Sequence, residues 1–150
     1  MNLTSQPRQI ALAALMLAAF ATTASAAEIG QIKVAKGQVS VERKGEPIVA
    51  SVGLRLEAAD VVKTGADGSV GITMSDNSLL SAGPNSILAL ERFEFDPTTS
   101  QGRFDAQLQR GTLAVISGRI AKQSPQAMTV RTPSAALGVR GTEFVVSVNE

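Results

Sequence analysis

Hydrophobic and polar residues alternate with a period of two along most of this chain. Val39 and Val41 alternate with Ser40 and Glu42. The same pattern recurs at Val70, Ile72 and Met74, at Leu88 and Leu90, and at Phe104, Ala106 and Leu108. It returns at Met128 and Val130, and again at Phe144, Val146 and Val148. A two-residue period places one side of each run inward and the other toward solvent, as in half-buried strands. The phase slips near Glu91-Arg92, because Leu88 and Leu90 are even and Phe93 and Phe95 are odd. A β-bulge or a change of packing layer there reconciles the two sets. Phe93 and Phe95 share a face, and core packing is the expected role for it; an exposed pair would instead mark a contact surface.

Turn chemistry separates the runs. Lys44-Gly45, Gly65-Ala66-Asp67-Gly68, Asp76-Asn77, Gly83-Pro84-Asn85, Asp96-Pro97, Gly102, Arg110-Gly111 and Gly141 all fall between apolar segments. Turns every 8–12 residues or so indicate an all-β fold. The expected architecture is a single domain of short, mainly antiparallel strands, forming a sandwich, roll or barrel. A short β-solenoid is the alternative, although no clean repeat is present. Helix is scarce: Gly53–Asp60 has room for one or two turns, and nothing sustains a period of 3.6.

Residues 1–26 have a different character. A polar start with one cation, Arg8, precedes an uncharged apolar run from Ile10 to Ala21, followed by small residues ending in Ala24-Ser25-Ala26. This is the three-part plan of a secretory signal peptide, with cleavage expected after Ala26. The apolar run is shorter than the ~20 residues that span a bilayer. The expected mature domain is residues 27–150, in the periplasm or secreted, with no transmembrane span after cleavage.

Charge and composition narrow the chemistry. The chain has 14 Lys+Arg and 13 Asp+Glu. Loss of Arg8 leaves the mature domain formally neutral, which argues against nonspecific nucleic-acid binding and a polybasic membrane role. His, Cys, Trp and Tyr are absent. Without His there is no histidine general base, and without Cys no thiol nucleophile, disulfide or thiolate metal site. Asp60, Asp67, Asp76 and Asp96 do not follow the order of a calcium loop. No Lys stands near a Ser on a nucleophile elbow. No catalytic residue, cofactor or metal site is expected.

Two stretches go beyond generic β patterning. The first runs Asp60-Val-Val-Lys-Thr-Gly65-Ala-Asp-Gly68-Ser-Val-Gly-Ile72, then Asp76-Asn77-Ser78, then Gly83-Pro84-Asn85-Ser86. The second runs Val130-Arg131-Thr132-Pro133-Ser-Ala-Ala-Leu-Gly-Val139-Arg140-Gly141-Thr142-Glu143-Phe144-Val145. Together they resemble the FecR domain family over about residues 52–148, and the Val-Arg-Gly-Thr-Glu-Phe run is the most specific part. Ala59 and Asn77 stand where the family usually has Gly. Asn tolerates a left-handed turn position; if the position of Ala59 needs positive φ, its local turn must differ.

The resemblance implies a periplasmic signal-sensing domain. The family's best-known members are membrane-spanning regulators of iron-uptake signalling whose cytoplasmic segment controls a sigma factor. About nine residues precede the apolar run here, too few for even one marginal helix of ~12–15 residues. The expectation is therefore an exported FecR-domain protein without anti-sigma activity. It would act as a non-catalytic protein-interaction module with an envelope protein partner. A cell-wall or polysaccharide-binding module is the alternative, disfavoured by the missing Trp and Tyr. The candidate interaction segment is Arg131, Thr132, Pro133 and Val139–Phe144, with Arg140 and Glu143 expected to pair with neighbouring strands or each other. Asp60, Gly65, Gly68, Asp76, Asn77, Gly83 and Pro84 are expected to be structural turn residues.

Overall fold

The structure, a computed structural model, describes residues 25–140 and 142–149; the expected signal segment and Gly141 lie almost wholly or wholly outside these. The strands are β1 (Glu28–Lys36), β2 (Val39–Arg43), β3 (Glu46–Val49), β4 (Arg55–Glu57), β5 (Val61–Thr64) and β6 (Ser69–Met74). They continue with β7 (Leu79–Ala82), β8 (Ile87–Phe95), β9 (Gly102–Ile116), β10 (Met128–Arg131), β11 (Ala136–Gly138) and β12 (Glu143–Val148). One short helix, α1 (Arg119–Gln123), and a 3-10 turn at Pro125–Ala127 lie between β9 and β10. The fold is all-β, as the alternation predicts: a curled, mainly antiparallel sheet forming a half-barrel.

The curl has a local cause. β1 runs on into β2, β5 into β6 and β7 into β8, each pair acting as one long strand broken at a corner. β9 is a single run of fifteen residues with its own corner at Gly111. The corners at Gly37-Gln38, Gly65–Gly68, Gly83–Ser86 and Gly111-Thr112 stack beside one another. Gly65 N–H donates to the Gln38 carbonyl at 2.9 Å, Asn85 N–H to the Gly65 carbonyl at 3.0 Å, and Gly83 N–H to the Thr112 carbonyl at 3.0 Å. The result is one crease along which the sheet folds over itself. On one side lie β4, β1, β6, β7, the C-terminal half of β9, and β12. On the other lie β3, β2, β5, β8, the N-terminal half of β9, β10 and β11.

Glycine is required at two of these corners. Gly37 and Gly111 have φ of +63° and +91°. A Cβ there would sit 2.2 Å from the Asp67 carbonyl oxygen and 2.1 Å from Ser86 Oγ. Any other residue meets both strain and a clash.

The two inner faces share one core. Ile32, Val70, Ile72, Leu80, Leu113 and Val115 come from one side of the crease, and Val41, Val62, Leu88, Leu90, Phe104 and Leu108 from the other. Burying an aliphatic or Phe side chain of this size stabilises by about 1.5–3 kcal/mol. The expected phase slip in β8 is a register shift between Leu90 and Arg92. Beyond it Phe93 is half-buried and meets Phe104 edge-to-face, with centroids 5.3 Å apart.

Two features differ from the sequence expectation. Gly53–Asp60 forms no helix; it contains β4, whose Leu56 is fully buried between flanking Arg55 and Glu57. The helix lies at Arg119–Gln123 instead, where five residues are too few to show a period. Gly111 lies within β9 and does not separate two strands, whereas Gly102 opens β9 after the β8–β9 loop. β10 pairs with β9 in parallel, which the intervening α1 and 3-10 turn make possible, since parallel neighbours need a crossover.

Candidate functional site

The turn motif that begins at Asp60 is consumed by structure. The Asp60 carboxylate, 1% exposed, accepts Arg43 Nε at 2.9 Å and Nη2 at 2.8 Å, and also the Glu57 amide at 2.9 Å. Arg43 reaches Glu57 Oε1 at 3.0 Å and donates to the Arg55 carbonyl at 2.9 Å. The hydrogen bond to Asp60 is the main cause that raises the Arg43 pKa above its ordinary value. Arg43 carried no signal in the sequence, because its partner lies 17 residues away. Ala59, beside this cluster, has a φ of 71°. The position does take the left-handed conformation, with Ala in it.

Thr64, Gly65, Gly68, Gly83 and Pro84 belong to the crease. Thr64 Oγ1 donates to the Gly83 carbonyl at 2.6 Å and accepts the Ser86 amide at 2.9 Å. Ser86 Oγ accepts the Thr112 amide at 3.0 Å. Gly68 N–H closes back on the Gly65 carbonyl at 3.0 Å, and Asp67 Oδ1 accepts the Gln38 amide at 3.1 Å. A hollow of about 650 Å³ lies over this crease, bordered by Gln38, Ser40, Lys63, Thr64 and Arg110. Its Lys63 pairs with Glu42 and its Thr64 hydroxyl is already bonded.

Asp76 and Asn77 form the turn between β6 and β7. Asn77 has a φ of 66°, as expected for Asn in place of Gly. Asp76 is fully buried. Its Oδ1 accepts the Ser78 amide at 3.0 Å, and its Oδ2 accepts Ser78 Oγ at 2.8 Å and the Ile120 amide at 3.2 Å. The carboxylate therefore caps α1, whose preceding Gly118 offers no capping side chain. At the first position of α1, Arg119 holds the β8–β9 loop. It donates to the Pro97 carbonyl at 2.6 Å and to Ser100 Oγ, and lies 5.1 Å over the Phe95 ring.

The closing segment divides into anchors and exposed groups. Arg131 ends β10 and forms an ion pair with Glu91 at the β8 bulge. Thr132 and Pro133 make the β10–β11 turn, in which Thr132 N–H donates to the Ala135 carbonyl at 2.8 Å. Val139 is buried, and Phe144 is half-buried against the core. Arg140, Thr142 and Glu143 are exposed. The Thr142 carbonyl accepts the Ser117 amide at 2.7 Å, which starts β12 beside β9. Among the described residues no ion pair joins Arg140 to Glu143. A hollow of about 570 Å³ runs past Pro125, Gln126, Gly138, Val139 and Arg140.

Among the described residues, no group of three or more Asp or Glu gathers to hold a metal. No helix among them is long and apolar enough to cross a membrane.

No curated protein and no solved structure matches the chain. The family model described as FecR protein matches residues 60–150. That span begins at the buried Asp60 and takes in three of the four corners of the crease, the Asp76 cap and the whole closing segment. β1–β4 lie outside it and still pack in the same core. With more than half of its length matched, the chain belongs to the FecR family.

Proposed function

We propose that this protein is an exported, non-catalytic signal-sensing or interaction module of the cell envelope. Family membership suggests such a role and implies signalling partners. The signal-peptide pattern of residues 1–26 supports export to the periplasm. The observation that carries the reading is the division of the family-matched residues. Asp60, Thr64, Asp76 and Ser86 spend their polar groups on internal bonds. Arg140, Thr142 and Glu143 stay exposed beside a hollow and a strand start. A partner's segment docks at this rim, with Arg140 and Glu143 choosing it by charge.

The test is in-cell cross-linking of the whole chain, compared with Arg140→Glu and Glu143→Lys variants of unchanged thermal stability. One defined envelope protein captured by the native chain and lost from both variants supports the proposal. Equal capture by all three chains removes the rim from it. Retention of the native chain on sedimented peptidoglycan, with no protein captured, would replace it with the polysaccharide reading. A fusion of residues 1–40 to a reporter active only after export tests location, and an inactive fusion overturns it.

A further inference from the structure

Four strands of the creased sheet have a strand partner on one side only among the described residues: β3, β4, β11 and β12. Exposed edges pair with other chains unless something blunts them. β3 carries Pro47 and the exposed Glu46. β4 is three residues long and carries Arg55, paired at 3.4 Å with Glu28, and Glu57. β11 is also three residues long. β12 has six residues, no Pro and no bulge against β9, and one charge, Glu143, at its tip. At its centre Val145 is 64% exposed.

The outer face beside β12 is apolar as well. Across β9 and β7, Val145 is followed by Ala114 and Ser81, and Glu143 by Ile116 and Leu79. Ile116 and Leu79 are each 43% exposed, and Val34 of β1, at 45%, closes the far side of the same groove.

From this edge we infer that β12 pairs antiparallel with β12 of a second copy of this chain, about a two-fold axis at Val145. The strand is self-complementary about that residue. One step away on either side stand Phe144 and Val146, which face inward; two steps away stand Glu143 and Ser147, which face outward. A two-fold therefore sets Val145 against Val145, Phe144 against Val146 and Glu143 against Ser147. No charge faces a like charge. The two Glu143 side chains stand four residues apart along the ladder, about 14 Å, beyond a Debye length of ~8 Å. The pairing covers Val145, closes the exposed side of Phe144 and continues each core across the axis. Both copies use the same patch, as an isologous dimer requires. The same strand carries Glu143 of the rim and sets Val148 against Thr142, so the pairing reaches the edge of that rim and leaves Arg140 before it; the inference rests on the open strand and not on the partner proposed above.

The absence of native Cys makes the register directly readable. Directly opposed antiparallel residues have Cα atoms about 4.5–5.5 Å apart, within disulfide range. The whole chain carrying Val145→Cys is expected to form a covalent dimer on mild oxidation. Glu143→Cys and Ser147→Cys alone should stay monomeric on a non-reducing gel, and their mixture should cross-link. By sedimentation velocity the native chain should show a dimer that grows with concentration. Val145→Lys should lose it with unchanged circular dichroism and melting temperature. A native chain that is monomeric at every concentration overturns the inference, as does a Val145→Lys chain that dimerises like the native one. Cross-linking of Glu143→Cys alone as readily as Val145→Cys overturns the register. A monomer that still captures its envelope partner would leave the functional proposal standing.

Discussion

The buried carboxylate of Asp76 accepts the backbone amide of Ile120 at 3.2 Å, across 44 residues of sequence. It joins the β6–β7 turn to the first turn of α1 and so holds the crossover that brings β10 back beside β9. The same group accepts the amide and hydroxyl of Ser78, whose Oγ in turn accepts the Gly118 amide at 3.0 Å.

Replacing Asp76 by Ala strands the Ser78 and Ile120 amides without a partner. Each unsatisfied buried donor costs about 1–3 kcal/mol, so Asp76→Ala should lose about 2–5 kcal/mol. Urea unfolding followed by circular dichroism reads the loss, and a change below about 1 kcal/mol would show that the cap is dispensable.

Arg43 and Asp60 should respond unequally to truncation. Arg43 is 24% exposed in its side chain, while Asp60 is 1% exposed. Arg43→Met leaves a buried carboxylate with one backbone donor and should cost about 3–5 kcal/mol. Asp60→Ala leaves a guanidinium that keeps Glu57 and reaches water, and should cost less. The midpoints of denaturant unfolding rank the two, and the reverse order would refute the argument.

Ala59 sits at φ 71° with an exposed side chain. A left-handed Ala costs about 1–2 kcal/mol, and the extra freedom of Gly in the unfolded chain returns part of that. Ala59→Gly should therefore stabilise by about 0.5–1 kcal/mol, an unusual sign for a change to Gly. A lowered melting temperature would count against the strain.

Asp96 gives the β8–β9 loop an acid dependence. Its carboxylate accepts the Thr98 amide at 2.8 Å and the Thr99 amide at 3.4 Å. These bonds, the one from Thr98 foremost, lower its pKa below the ordinary 3.8. Since the folded pKa is depressed, the stabilisation is fully present above pH 3.8 and is lost as pH falls through the folded value. An NMR titration should find the Asp96 carboxyl below its value in the unfolded chain, and Asp96→Asn should remove that acid-side slope. A titration at the ordinary value would contradict the loop geometry.

Much of the fold is legible in the sequence because a strand's period is local. Val70, Ile72 and Met74 announce one buried face, and the slip between Leu90 and Phe93 announces a bulge, without knowledge of any partner strand. The turns at Gly65–Gly68 and Gly83–Asn85 are legible for the same reason, since their conformation depends on a few adjacent residues. The closing segment is partly legible: Phe144 reads as core by alternation, and Arg140 and Glu143 stand out as charged residues among apolar ones. Whether they pair, with neighbouring strands or with each other, is a question of reach; among the described residues both side chains are exposed and no ion pair joins the two.

By itself the sequence determined that the chain builds strands and tight corners, and that it carries the residues of the FecR family. Local sterics and a two-residue period suffice for that. Only the tertiary structure decided that the corners stack into one crease, that Arg43 belongs to Asp60 and Asp76 to Ile120, and that β12 has an open side among the described residues. Hydrogen bonds between residues 17 and 44 positions apart leave no periodic trace, and an edge exists only once every other strand has found its neighbour.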